Sequence, residues 1–125
     1  MRRVILESPY AGDIEANVDY ARACVRDGLS RGEAPIASHL LYTQPGILKD
    51  EVRDERQWGI DAGLAWATAA EATVVYIDRG ISNGMKYGIA NAFANGRPVE
   101  YRTITREQDG TPSSIIGAVL DRLGE

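Results

Sequence analysis

The run "TVVYID", Thr73 to Asp78, sets four consecutive apolar residues, Val74 to Ile77, between polar ends. It is too short for a buried helix and rich in residues that suit a pleated surface, so it reads as a strand covered on both faces. Such a strand needs helices above and below the sheet that contains it. The rest of the chain supplies them by alternation.

Val4 to Leu6 is a short aliphatic run leading into "ESPYAGD", where Pro9 and Gly12 mark a loop. From Asp13 the apolar positions Ile14, Val18, Ala21, Val25 and Leu29 recur at helical spacing until Gly32 closes the pattern. "APIASHLLY" reads as a second strand and "TQPGILKD" as a loop. "DEVRDERQWGIDAGLAWATAAEA" reads as a long helix with Asp50 as its N-cap, in spite of Gly59 and Gly63. After "TVVYID", Ser82 caps a helix that carries Met85, Ile89, Ala92 and Phe93 and closes at Asn95-Gly96. "RPVEYRTI" is a proline-led strand, and "TPSSIIGAVLDRLG" a last helix with Ile115, Ile116, Val119, Leu120 and Leu123 on one face.

Parallel neighbours need helical crossovers, so this alternation predicts one α/β domain over residues 1–125. The architecture expected is a single Rossmann-like three-layer sandwich with a parallel sheet of four or five strands. A chain of 125 residues, 44% hydrophobic, can bury such a core without disulfide staples. In sheets of this kind the ligand crevice lies beyond the carboxyl ends of the strands, at the point where the strand order reverses. That rule selects "ESPYAGD", "SHLLYTQPG", "DRGISNGM" and the residues after "VEYRTI".

Charge and composition narrow the ligand. A formal charge of −4 argues against general nucleic-acid binding, which depends on dense Lys and Arg surfaces, but leaves small anions open. No apolar run approaches the roughly 20 residues that cross a bilayer, so no membrane partner is expected, and the burst in "MRRVILESPY" reads as a strand and not a signal peptide. Cys24, the single cysteine, cannot bridge within the chain, and a reducing cytoplasm is the simplest compartment. No metal or redox cofactor is expected.

Within the selected loops, Gly80, Ser82, Asn83 and Gly84 stand between a strand end and a helix start, where unpaired backbone N–H groups and the helix dipole favour an anion. They read either as a phosphate or ribose cradle or as tight-turn residues. Asp54, Trp58 and Asp61, spaced four and three apart, share a helix face and read either as the floor of a nucleoside pocket or as a solvated acidic face with Trp58 partly buried. His39 lacks companions at metal-ligand spacing and reads as a hydrogen-bonded residue at a strand end. Ser8 has no G-x-S-x-G context and no evident base partner. Glu7 ends the first strand, where a carboxylate points into the crevice.

The "SPYAGDIEAN" loop and helix start, Asp61 on the helix before the third strand, and above all "GMKYGIANAFANGRPV" resemble the nucleoside 2-deoxyribosyltransferase-like superfamily, including its small phage and bacterial members. The resemblance covers roughly residues 4–104. It implies a nucleoside or nucleotide as partner, a homo-oligomer, and action on an N-glycosidic bond. Ser8, Pro9 and Tyr10 would line the nucleoside site, Asp61 would bind or protonate the base, and Asp78 would contact the sugar. The family's nucleophile is a glutamate in a "G-M-E-x-G-x-A" helix start. Here "GMKYGIA" follows Gly84 and Met85 with Lys86, and an ammonium cannot attack the anomeric carbon as a carboxylate does. Lys86 therefore holds a phosphate, so that the domain binds a nucleotide or nucleotide-derived signal without cleaving it, or Glu7, Asp61 or Asp78 activates water directly, or Lys86 points to solvent.

Overall fold

The computed structural model describes residues 1–104; the helix expected over "TPSSIIGAVLDRLG" lies outside them. The elements run β1 (Arg2–Glu7), α1 (Ile14–Ser30), β2 (Glu33–Ile36), α2 (Ser38–Leu41), α3 (Arg53–Ala67), β3 (Ala72–Tyr76), α4 (Asn83–Ala94) and β4 (Val99–Arg102). Among the described residues four strands form one sheet in the order β2-β1-β3-β4, every pairing parallel. The α/β sandwich expected from the alternation is the fold observed.

The two sheet faces bury separate cores, as period-2 alternation requires. Val4, Leu6, Ala72, Val74 and Tyr76 pack with Cys24 of α1 and with Ala37. On the other face Val75 and Ile77 pack with Met85 of α4, and Ile81, Ile89, Val99 and Tyr101 close around them. β3 is buried at every position, because it is a central strand and both its faces are covered. Helix α1 starts where Asp13 accepts from the Ala16 amide at 3.3 Å, and it ends at Gly32, whose φ of 82° is open to glycine at little cost. It lies close on the sheet through small residues: a Cβ on Gly28 would already touch Pro35 at 3.4 Å.

The structure corrects two local expectations. The strand in "APIASHLLY" stops at Ile36, and residues Ser38–Leu41 form one helical turn. A short apolar run such as Leu40-Leu41 fits a strand or a helix equally, and tertiary contacts chose the helix, which packs Leu40 on the core and turns His39 towards Ser8. Asp50 does not cap α3: the cap residue is Val52, without a side-chain bond, and Glu55 reaches back to the Lys49 amide at 3.2 Å instead. α3 buries only Ala67 and leaves Trp58, Leu64 and Trp66 exposed.

Beneath α1 a buried polar network ties the edges of the sheet together. Arg102 of β4 grips Glu33 of β2 with two bonds of 2.6 and 2.9 Å and stacks its guanidinium 5.7 Å from the Tyr76 ring. The Tyr76 hydroxyl donates to Asp27 at 2.7 Å, and Asp27 also pairs with Arg31 at 2.8 Å. Each charge has a partner, which burial at this depth demands.

Candidate functional site

From β1 the chain crosses outward through α1 to β2; from β3 it crosses the other way through α4 to β4. The loops after β1 and β3 therefore diverge, and a cleft of about 650 Å³ opens between them, lined by Pro9, Ala11, Asn17, Asp78, Arg79, Gly80, Ile81 and Ser82. Two of the loops selected by topology meet here.

Asn17, in the first turns of α1, joins them. Its amide nitrogen donates to the carbonyls of Tyr10 at 3.0 Å and Ala11 at 3.1 Å, while its oxygen accepts from Arg79 Nε at 3.0 Å. That last bond fixes the guanidinium by its inner nitrogen, and the two outer nitrogens have no protein partner among the described residues. Beside it Gly80 takes φ 85°, and Ser82 caps α4 by accepting from the Met85 amide at 3.3 Å. Sequence reasoning missed Asn17 and Arg79. Arg79 stood inside "DRGISNGM", but nothing in the sequence shows that an asparagine 62 positions earlier would aim it.

The other residues singled out from the sequence fall into distinct places. Asp78 lines the cleft, yet its carboxylate accepts from the Tyr20 hydroxyl at 2.6 Å and from the Ile104 amide at 3.2 and 3.3 Å. Burial and this carboxylate push the Tyr20 phenol well above its ordinary range, so it stays a donor. Pro9 is buried and Tyr10 half-buried. Met85 is 1% exposed in the core, with its sulfur accepting from the Ser82 amide. Asn83, Gly84 and Lys86 are exposed at the start of α4. Asp54, Trp58 and Asp61 are exposed on α3, away from the cleft lining, and Asp61 accepts from Gln57 at 2.9 Å.

Ser8 and His39 come together: Ser8 Oγ and His39 Nε2 are 2.6 Å apart, so the serine does have a base partner, brought by the helical turn that sequence patterning read as strand. Burial pushes the imidazole down to about 4, which keeps it neutral at physiological pH.

Glu7, at the end of β1, lies on the face covered by α4. A Cβ built on Gly88 would stand within 3.0 Å of all three atoms of the Glu7 carboxyl, so a larger residue there would have to displace that side chain. Desolvation drives this carboxyl up to about 8, with Arg97 opposing it weakly. Positions 86 and 88 are about 200° apart around a helix, so Lys86 leaves α4 from nearly the opposite side.

Among the described residues no group of three His, Cys, Asp or Glu side chains gathers at metal-binding distance, and no helix is long and apolar enough to cross a membrane. The family described as "Domain of unknown function (DUF7768)" matches residues 2–102, and the chain belongs to that family. No curated protein matches it. Among solved structures it is similar to a 2-deoxyribosyltransferase from Bacillus psychrosaccharolyticus, at 18% identity and TM-score 0.57, over 81% of this chain and 72% of that one. At that identity the likeness shows a shared fold.

Proposed function

We infer that this protein binds a nucleoside or nucleotide in the switch-point cleft and acts on its N-glycosidic bond, by hydrolysis or transfer. The observation that carries the reading is the cleft between the β1 and β3 loops, where Asn17 holds Arg79 by its Nε in a lining that also includes Ser82, the cap of α4. A guanidinium held by one nitrogen presents a planar fork suited to phosphate or to sugar oxygens. The fold shared with a 2-deoxyribosyltransferase supports the nucleoside as ligand class.

A second reading, binding without turnover, draws on Asp78 and Asp61: each already has a protein partner, and Lys86 stands where the family resemblance puts a nucleophilic glutamate. The exposed Trp58, Leu64 and Trp66 on α3 support self-association in either case.

The test is to incubate the purified protein with nucleosides, deoxynucleosides and their monophosphates, following free base by chromatography and binding by thermal shift. Release of base from any member supports glycosidic chemistry; stabilisation without release supports the binding reading. Arg79→Ala should weaken monophosphate binding about 10-fold or more while nucleoside binding changes little, and Lys86→Ala should change neither. Equal losses for both ligand classes in Arg79→Ala would remove the phosphate role.

A further inference from the structure

Arg79 is held differently from the other anchored arginines. Arg31 pairs with Asp27 and Arg102 with Glu33, so each of those guanidinium groups meets a carboxylate. Arg97 meets only neutral groups, but each of its nitrogens is taken, by Thr73 Oγ1 at 2.9 Å, the Ala67 carbonyl at 3.1 Å and Asn91 Oδ1 at 2.7 Å. Arg79 makes one bond, from Nε to Asn17 Oδ1 at 3.0 Å, and among the described residues it pairs with no carboxylate. Asp78, the carboxylate in the same lining, is engaged by the Tyr20 hydroxyl and the Ile104 amide.

Asn17 is 5% exposed, and its orientation is fixed by what surrounds it. Its Nδ2 donates to the Tyr10 and Ala11 carbonyls, which only accept, so a flipped amide would set oxygen against oxygen. Oδ1 must therefore face Arg79. Being neutral, this oxygen holds the guanidinium in place and leaves its positive charge uncompensated, with both Nη groups left to bind. Ser82, in the same lining, accepts from the Met85 amide at 3.3 Å and keeps its own hydroxyl proton to donate. A planar fork with an unspent charge suits a phosphate monoester better than an uncharged sugar, because paired N–H bonds to an anion are the strong, charge-assisted kind.

We propose, resting on the reading of the cleft as a nucleoside site, that its ligand is a nucleoside monophosphate whose phosphate is received by Arg79, and that Asn17 is the positioning residue that fixes the guanidinium without neutralising it. An arginine held in advance loses less side-chain freedom when the phosphate arrives. The same amide ties down the Tyr10 and Ala11 carbonyls, so one buried side chain sets the β1 loop and the phosphate receptor together.

The experiment titrates the whole chain with a panel of nucleosides, their 5′-monophosphates and inorganic phosphate, by calorimetry. The wild type should bind a monophosphate about 10-fold or more tightly than its parent nucleoside, and inorganic phosphate more weakly than the monophosphate. Arg79→Lys keeps the charge but offers Asn17 no Nε, and its preference should fall to about 3-fold or less with nucleoside affinity unchanged. Asn17→Asp should lose the preference too, because a carboxylate then compensates the guanidinium. Full preference in either variant, or equal losses for nucleoside and monophosphate, overturns the positioning role of Asn17. Arg79 is exposed, so Arg79→Lys decides the matter even if Asn17→Asp fails to fold. A wild type that binds nucleosides without preferring their monophosphates overturns the phosphate receptor and leaves the nucleoside reading standing. Inorganic phosphate bound as tightly as the monophosphates, or no binding of nucleosides and monophosphates at all, overturns the nucleoside reading with it.

Discussion

A carboxyl that keeps its proton up to about pH 8 in the folded chain, but releases it near 4.5 when unfolded, makes stability depend on pH in a way that Glu7→Gln should erase. Between those values the folded state binds a proton that the unfolded state does not. The Glu7 contribution to stability is therefore greatest below pH 4.5 and falls by about 1.4 kcal/mol per pH unit as pH rises, until it levels above about 8. Glutamine has nearly the same shape and no proton to lose. Its advantage over the wild type should grow from nothing near pH 4.5 to roughly 3 kcal/mol at pH 7. Solvent reaching the open part of the residue makes that figure an upper limit. Urea unfolding of both proteins across this range measures the difference directly, since every other titrating group is common to the two. Parallel stability curves for wild type and Glu7→Gln would show that the Glu7 carboxyl ionises normally, and the reasoning from its enclosure by Gly88 would fail.

The remaining predictions concern neighbours of the cleft and the network beneath α1. His39, held down to about 4, refuses a proton that the unfolded chain binds below 6.5, so it should take away up to about 3 kcal/mol as pH falls between those values; acid unfolding of His39→Gln should lack that component. Ser8→Ala leaves a buried imidazole nitrogen without its partner and should cost about 1–2 kcal/mol in urea unfolding, where a change below about 0.3 kcal/mol would make the Ser8–His39 contact incidental. Arg102→Met strands Glu33 and should cost roughly 3–5 kcal/mol, most of it recovered by adding Glu33→Leu; a double variant no more stable than the single would refute the buried-charge account.

The fold was legible because its signals are local. The apolar run of β3, the helical spacing from Ile14 to Leu29, the Ser82 cap and the alternation of strand with helix each depend on residues close in sequence, and together they imply a parallel sheet and a crevice at its switch point. That placed Pro9, Gly80 and Ser82 at the cleft. Local signals failed at Ser38–Leu41, where two adjacent leucines fit either period, and at Asp50, where the helix starts later than its polar residues suggest.

What the tertiary structure alone decided is which of several plausible polar residues act together. Asn17 reaches Arg79 across 62 positions, Ser8 meets His39 across 31, and Asp78, a good candidate by position, is engaged by Tyr20. Glu7 and Gly88 show the difference most plainly. Sequence could say that Glu7 ends a strand and that Gly88 interrupts a helix. That the carboxyl lies against the bare surface of Gly88, and loses part of its water there, follows only when β1 and α4 lie in contact. Strand and helix periods are written in neighbouring residues, but desolvation and the company a charge keeps depend on surfaces that meet only after folding.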